Sequence, residues 1–336
     1  MKQSRREFIG LVAASAAPAS CMAYAAGDVR ATGGTTGRGA AQTPFHIPWT
    51  PFERIKVKGW DFGGGRMLCF ANRSSEQMLS TVFVSKGGRL AVVDGGGFKD
   101  GDFLFGKLME LGGRIDHWFI THAHSDHYGA LCTMLKRPDF ARLKIGELVY
   151  SFPDLEWIEK SGEPGSRKSA AAFLGRLADA GASIPQRRYV KGEVVEMDGV
   201  TFETLNDYNL DIIKIDPVNG TTICLGVNMG NRRILVTGDV SANEGHWLAN
   251  TADKSKFKAD IVFMAHHGQQ GAPRRFYEMV KPEAAIWPAP QWLWENIAFG
   301  GSCPGSGPFH TNYTKTWMQD LKVKLHYPMV RDYEFC

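Results

Sequence analysis

The feature that most constrains this chain is the run FITHAHSDHYGAL at residues 119–131. It places His122, His124, Asp126 and His127 within six positions. Alternate side chains of an extended segment point to the same side, so the first two histidines face one way, and a turn into a helix brings the other two residues back to them. Imidazoles and carboxylates are ligands that zinc and similar first-row ions prefer. The run therefore predicts a strand that ends in a loop carrying ligands for two neighbouring cations.

Strand and helix patterns alternate along the rest of the chain. The Gly87-Gly88 and Asp198-Gly199 pairs each mark a hairpin between two strands. Helices are predicted at 103–111, 167–180 and 311–321 from their apolar spacing and their end signals. Strands are predicted at 54–57, 79–85, 90–93, 118–121, 193–197, 200–205, 221–227, 233–237 and 261–264. This mixture predicts an α/β fold in which sheets pack inside helices.

The first 25 residues have the pattern of an export signal. Residues 4–9 (SRREFI) resemble a twin-arginine motif, an apolar stretch follows, and Ala23-Tyr24-Ala25 is a small-residue cleavage site. The pattern predicts cleavage after Ala25, export by the twin-arginine machinery and a periplasmic or secreted protein. The apolar stretch is shorter than the roughly 20 residues of a membrane span. Two alternatives are an amphipathic first helix of the domain and lipid attachment at Cys21.

Composition sets the remaining limits. Residues 26–48 are rich in Gly, Thr and Ala and are predicted to be a flexible linker, so the folded domain is predicted at 49–336. No stretch after residue 26 is long and apolar enough to span a bilayer. The formal charge is +4, and it falls to +2 without the signal, so any phosphate recognition has to be local. Five cysteines remain without a CxxC pair, which excludes a disulfide framework but allows one bridge.

Three further segments repeat the pattern of an apolar strand followed by acids or histidines. The strand at 90–93 runs into Asp94-Gly95-Gly96, the strand at 233–237 runs into Gly238-Asp239, and the strand at 261–264 runs into His266-His267-Gly268. In this order, behind the His-x-His-x-Asp-His run, they resemble the motifs of the metallo-β-lactamase superfamily. The resemblance extends over nearly all of residues 52–336, and the first motif is specific.

This resemblance implies an αββα sandwich with two divalent metal ions, zinc or manganese. The proposed ligands of the first ion are His122, His124 and Asp239, and those of the second are Asp126, His127 and His267, with the Asp239 carboxylate bridging both. Asp94 would orient a ligand histidine; the alternative is an aspartate that caps a turn. We assign His267 as the ligand and His266 as a neighbour that stabilises or protonates the reacting group, and the reverse assignment remains open.

One position departs from the family pattern. Many members carry another histidine before the bridging aspartate, but no histidine occurs here from Tyr128 to Glu244. The corresponding segment reads Asn219-Gly220-Thr221-Thr222. An amide oxygen is a harder and weaker donor than imidazole, so Asn219 as a ligand would shift the first ion towards manganese. The alternative is that Asn219 is only a turn residue.

The departure also indicates a subfamily. The Asn219 segment, Thr237-Gly238-Asp239, Glu244, the His266-His267-Gly268 run and Lys281-Pro282 look like the hydrolase domain of competence-type DNA-uptake proteins and their free-standing relatives. Those relatives are associated with phosphodiester cleavage. The resemblance therefore implies a small-molecule, nucleotide or nucleic-acid phosphodiester as the substrate.

Three functions are compatible with these residues. The leading hypothesis is an exported phosphodiesterase in which Asp126 orients the attacking water, and His266 or His310 meets the leaving oxygen. His310 precedes a predicted helix, where a solvated histidine is the alternative. An amide, lactone or thioester hydrolase is the second hypothesis, and a metal-bearing binding protein without turnover is the third. The tryptophans at 287, 292 and 294 are predicted to be packing residues rather than a stacking wall. The sequence indicates no oligomeric state.

Overall fold

The computed structural model describes residues 54–74, 76–179, 184–213 and 216–336. The predicted signal peptide, with Cys21, the linker and the start of the domain at residue 49 lie outside these residues. Within them, no helix combines the length and the apolar character that a membrane span requires.

Two mixed sheets form the centre of the fold. The strands are β1 (Arg54–Val57), β2 (Arg66–Cys69), β3 (Ser80–Val84), β4 (Leu90–Asp94), β5 (Arg114–Ile120), β6 (Lys144–Tyr150), β7 (Gln186–Arg187), β8 (Val194–Met197), β9 (Val200–Thr204), β10 (Leu225–Met229), β11 (Arg232–Val236), β12 (Ile261–Phe263), β13 (Ala284–Trp287), β14 (Leu325–Pro328) and β15 (Asp332–Phe335). One sheet has the order β1-β15-β2-β3-β4-β5-β6-β7, and the other has the order β14-β13-β12-β11-β10-β9-β8.

Helices cover the outer faces of both sheets. They are α1 (Gly101–Glu110), α2 (Ser125–Met134), α3 (Leu155–Lys160), α4 (Pro164–Asp179), α5 (Ala242–Thr251), α6 (Lys254–Phe257), α7 (Arg274–Val280), α8 (Gln291–Trp294) and α9 (Thr311–Asp320). Three apolar clusters join the layers: one between α1, α2, α4 and the first sheet, one between the sheets, and one between the second sheet and α5, α7 and α9. The predicted αββα arrangement is confirmed.

The strands in the middle of each sheet are buried on both faces because each sheet lies between helices and the other sheet. Phe119 of β5 packs on Phe202 of β9 across the sheet interface, with ring centroids 4.9 Å apart. Such strands consist of continuous apolar runs, which is why β3, β4 and β12 were recognisable from sequence. The strand predicted at 221–227 was wrong at its start, because residues 219–221 form a short 3-10 turn and β10 begins at Leu225.

Four parallel strands carry the predicted site residues at their carboxyl ends. In the first sheet β4 pairs with β5, and in the second β11 pairs with β12, in each case in parallel. The two edges are tied together by a hydrogen bond of 3.0 Å from the Ile223 N–H to the Thr121 carbonyl. Open α/β sheets bind ligands at the carboxyl ends of parallel strands, so the functional site is expected at these strand ends.

Candidate metal centre

The first motif lies between the end of β5 and the first turn of α2. His122 and His124 are in the extended link, and their Nε2 and Nδ1 atoms lie 3.1 Å apart. His127 is in the first turn of α2, where its ring is completely buried. The alternation predicted from sequence therefore brings the first two imidazoles together, and the turn of helix returns the third to them.

Asp94 supports this motif from the end of β4. Its carboxylate accepts hydrogen bonds from the Thr121 N–H (2.8 Å), the Thr121 hydroxyl (3.0 Å) and the Nδ1–H of His127 (2.8 Å). The residue is fully buried and has a φ of 57°, a left-handed conformation that aspartate tolerates. Because Asp94 engages Nδ1, the Nε2 atom of His127 is left to face the other ligands.

Two tight turns place the remaining residues of the centre. Gly238 has a φ of 47°, and a Cβ there would lie 2.8 Å from the Thr121 hydroxyl, so only glycine allows Asp239 to approach the first motif. His266 and His267 both have positive φ values, 50° and 58°. Such left-handed residues cost about 1–3 kcal/mol each and cluster at functional sites. The Nδ1–H of His267 is held by the Pro288 carbonyl at 2.8 Å.

Four ligand atoms converge in the first of two clusters, which consists of Asp126, His127, Asp239 and His267. The Nε2 atom of His267 lies 3.0 Å from the Asp126 carboxylate and 3.2 Å from that of Asp239. The Nε2 atom of His127 lies 3.3 Å from Asp239 and 3.7 Å from Asp126. Four ligands of a tetrahedral zinc ion, with bonds of 2.0–2.1 Å, lie about 3.3 Å apart. These residues therefore fit a divalent cation.

The second cluster contains His122, His124 and the same Asp239. The Nε2 atom of His122 lies 4.0 Å from the Asp239 Oδ2 atom, and this oxygen also faces His267. One carboxylate thus serves both clusters, as a bridging ligand would. This cluster has three ligand atoms, whereas the first cluster has four. The difference agrees with the absence of a histidine between Tyr128 and Glu244.

A residue that the sequence motifs did not indicate, Glu163, contacts the second cluster. Its carboxylate lies 2.8 Å from the Nε2 atom of His124, 39 positions away in the chain. Burial acts to raise the pKa of Glu163, but the hydrogen bond and the charge of His124 outweigh it and lower the pKa to about 2. The only local sequence signal was Glu-Pro before an amphipathic helix, which indicates a helix start and not a contact with His124.

Asn219 and His266 form a pair beside the clusters. The Nδ1 atom of His266 lies 2.9 Å from the Gln270 carbonyl, and its Nε2 atom lies 3.3 Å from the amide nitrogen of Asn219. Asn219 is 4% exposed, and within the described residues its Oδ1 atom is buried without a hydrogen-bond partner. An orphan acceptor of this kind is expected where a ligand or an ion belongs.

Other residues singled out from the sequence lie outside both clusters. His310 is exposed at the start of α9, and its ring contacts Tyr313 at 5.6 Å between centroids. Glu244 is buried and accepts from Asn206, which in turn holds the backbone of Cys224 before β10. Trp287 and Trp294 are buried and pack edge to face, as a packing role requires.

The buried carboxylates of the centre raise the pKa of three of its histidines. Burial acts to lower the pKa of both His127 and His267, but the nearby carboxylates reverse this effect. The pKa of His127 is raised well above its ordinary value, and that of His267 is raised to about 10. Burial and the charge of His127 hold the pKa of His122 well below its ordinary value. Burial also acts to lower the pKa of His124, but its hydrogen bond to Glu163 and the nearby carboxylates raise it. At neutral pH at least His127 and His267 are therefore imidazolium ions.

We expect metal binding at neutral pH to release at least about two protons, because a metal ligand must be a neutral imidazole. The release is measured by calorimetric titration of Zn²⁺ in buffers of different ionisation enthalpy. The release should shrink as the pH rises through about 10, the pKa of the metal-free His267, because above that pH this ring has already lost its proton. Binding without proton release at neutral pH would contradict this prediction.

Two sheets packed inside helices, with paired clusters of imidazoles and carboxylates at the carboxyl edge of parallel strands, define an α/β protein built to bind metal ions. Residues 77–287 match the profile of the Metallo-beta-lactamase superfamily. The chain therefore belongs to the metallo-β-lactamase superfamily and is a metal-dependent hydrolase. The family, fold and enzyme class predicted from the sequence are confirmed.

Individual relatives are distant. The chain is 24% identical over 174 residues to ComE operon protein 3 of Bacillus subtilis (strain 168); the match covers 52% of this chain and 20% of that protein. The chain thus spans about a fifth of the length of this curated relative. The metallo-β-lactamase fold protein YhfI from Bacillus subtilis is similar in structure, with a TM-score of 0.45 and 12% identity over 79% of this chain and 96% of that one. CmlA, a diiron β-hydroxylase from Streptomyces venezuelae, is similar with a TM-score of 0.46 and 12% identity, over 78% and 52%.

Proposed function

We propose that this protein is a phosphodiesterase with two divalent metal ions. The observation that carries the proposal is that two ligand clusters share one carboxylate, that of Asp239. Two cations held side by side suit displacement at phosphorus, because both the attacking and the leaving oxygen need their charge offset. The Asn219 segment, in place of a further histidine, supports a competence-type phosphodiesterase over a β-lactamase.

The residues of the chain then have distinct roles. When bound, the cations supply Lewis acidity that lowers the pKa of water and offsets charge on the attacked oxygens. His122, His124, His127 and His267 would hold the cations through neutral imidazoles, with Asp239 shared between them. Asp126 would orient the attacking water, because its side chain is 28% exposed whereas that of Asp239 is only 4% exposed.

His266 is the proposed donor to the leaving oxygen. In its neutral form Nδ1–H donates to the Gln270 carbonyl and Nε2 accepts from the Asn219 amide. Only the doubly protonated ring has a proton to give from Nε2, so proton donation would require the amide of Asn219 to turn away. Asn219 would then offer its oxygen to the first cation, which supports manganese beside zinc as the metal.

A panel of substrates tests the proposal. The full-length protein is freed of metal with a chelator, reloaded with Zn²⁺ or Mn²⁺, and assayed on bis(p-nitrophenyl) phosphate, single-stranded DNA and a chromogenic cephalosporin. We expect metal-stimulated diester cleavage that falls at least about 100-fold in His124→Ala, because a lost ligand costs more than a lost hydrogen bond to a ligand. Cephalosporin turnover without diester cleavage would favour an acyl hydrolase, and bound metal without either activity would favour a binding protein.

Export of the protein belongs to the same proposal. The twin-arginine pattern supports transport of a folded, metal-loaded protein to the periplasm or the medium, with cleavage after Ala25. N-terminal sequencing of the exported protein should then begin at Ala26, and a retained or lipid-modified N-terminus at Cys21 would contradict it.

A further inference from the structure

We propose that Glu163 is a positioning residue that decides which nitrogen of His124 faces the metal centre, and that it ties this ring to the loop carrying Asn219. The role of the ions in this inference rests on the proposed function. The orientation of the His124 ring does not, and it can be measured without metal.

Three donors converge on the Glu163 carboxylate. Its Oε2 atom accepts from the Nε2–H of His124 at 2.8 Å and from the Ser166 hydroxyl at 2.9 Å, and its Oε1 atom accepts from the Val218 N–H at 3.2 Å. The side chain is only 15% exposed. Hydrogen bonds to a charged acceptor are strong, so these three donors hold the Glu163 carboxylate in one position.

The hydrogen bond selects a tautomer of His124. A carboxylate accepts and cannot donate, so the ring nitrogen that faces Glu163 must carry the proton. In the neutral ring the lone pair of Nδ1 then points towards the Nε2 atom of His122, 3.1 Å away. Two lone pairs at this separation repel each other unless a proton or a metal ion lies between them, and the separation also fits two ligands on one ion.

The hydrogen bond from the Val218 N–H to Glu163 connects the His124 ring to the Asn219 segment, where many members of the family carry a histidine. Val218 directly precedes Asn219, so one carboxylate connects the second motif histidine with the segment that holds the orphan amide oxygen. Glu163 is itself anchored, because it precedes Pro164, the first residue of α4, and Phe173 of α4 stacks on Tyr128 of α2 at 4.7 Å between ring centroids. Glu163 and His124 are thus both held by helices that pack on each other.

The test compares Glu163→Gln and Glu163→Asp with the control Glu159→Gln, an exposed glutamate at the end of α3. Two readouts are used. Nitrogen-15 NMR of the histidine rings in the metal-free protein, under conditions in which His124 is neutral, reports its tautomer. Titration with Co²⁺, followed by visible absorption and metal analysis, reports the affinity and number of bound ions. Circular dichroism establishes that each variant is folded.

We expect a His124 ring protonated on Nε2 in the wild type and in Glu159→Gln. In Glu163→Gln both tautomers should be populated, because an amide offers a donor as well as an acceptor. Affinity for one of two Co²⁺ ions should fall about 10–100-fold while the other is retained, and Glu163→Asp should lie between. An unchanged tautomer with two ions bound as tightly as in the wild type would overturn the inference. A wild type that binds fewer than two ions would contradict the proposed function, and the NMR result would still decide the role of Glu163.

Discussion

Replacement of Asp239 with asparagine is expected to lower kcat/KM on bis(p-nitrophenyl) phosphate by at least about 1,000-fold, and to reduce the bound metal from two ions to fewer than one per chain. The substitution keeps the shape of the side chain and removes its charge. Its effect should exceed that of any single histidine, because Asp239 alone among the described residues belongs to both ligand clusters.

The electrostatics of the site explain the size of this effect. Burial acts to raise the pKa of Asp239, but the charges of His267 and His127 outweigh it and hold the pKa well below its ordinary value. The carboxylate therefore stays ionised and presents Oδ1 to His127 and Oδ2 to His267. An amide offers one weaker oxygen, and its NH₂ group would point a donor at an imidazole that has to remain a lone-pair ligand.

The control is Asp102→Asn, which removes a charge from an exposed aspartate in the first turn of α1. It should retain both metal and activity. Metal analysis after dialysis and steady-state kinetics on the same preparations separate loss of ions from loss of catalysis. Full diester cleavage by Asp239→Asn would exclude a shared carboxylate and with it the proposed mechanism.

Much of this site could be predicted because its information is local. A strand followed by an acid or a histidine is visible in a single segment. Four such segments end close together because β4 and β5 pair in parallel in one sheet, and β11 and β12 pair in parallel in the other. The alternation of His122 and His124 needed only the geometry of an extended chain.

The rest depends on tertiary contacts that no spacing encodes. Glu163 reaches His124 only because α4 packs on α2, and the tie between Asn219 and His266 joins residues 47 positions apart. The left-handed turn through His266 and His267 was also hidden, because positive φ is uncommon for any residue other than glycine and a pair of histidines does not by itself indicate it. Sequence motifs thus indicated the residues of the two clusters and Asp94 beside them, and missed the contacts that Glu163 and Asn219 make with His124 and His266.

Loss of Asp94 is expected to be the most damaging change to stability. Asp94→Ala should lower the free energy of unfolding of the metal-free protein by about 3–5 kcal/mol, because the buried and charged His127 ring loses the carboxylate that accepts from its Nδ1–H and keeps only the carboxylates beside Nε2. The Thr121 N–H and hydroxyl lose their acceptor as well. Urea denaturation followed by circular dichroism measures the change.

Asp94→Asn separates the structural from the functional role of this carboxylate. Asparagine also tolerates the left-handed backbone, and its oxygen can still accept from the Thr121 N–H, so the loss of stability should be only about 1–2 kcal/mol. Its NH₂ group, however, places a second donor against the Nδ1–H of His127. The neutral ring can avoid this contact between two donors only if its proton moves to Nε2, the atom that faces the other ligands. Activity should therefore fall about 10–100-fold although the fold survives.

The matched control for Asp94→Asn is Asp198→Asn, since Asp198 also has a positive φ, 47°, and also accepts from a hydroxyl and a backbone N–H. It lies in the exposed hairpin between β8 and β9, away from any imidazole, so its activity should equal that of the wild type. If Asp94 were only the cap of a turn, the two asparagine variants would behave alike. A fully active Asp94→Asn would therefore exclude the orienting role of Asp94, because the proton on His127 would then have no effect on the metal centre.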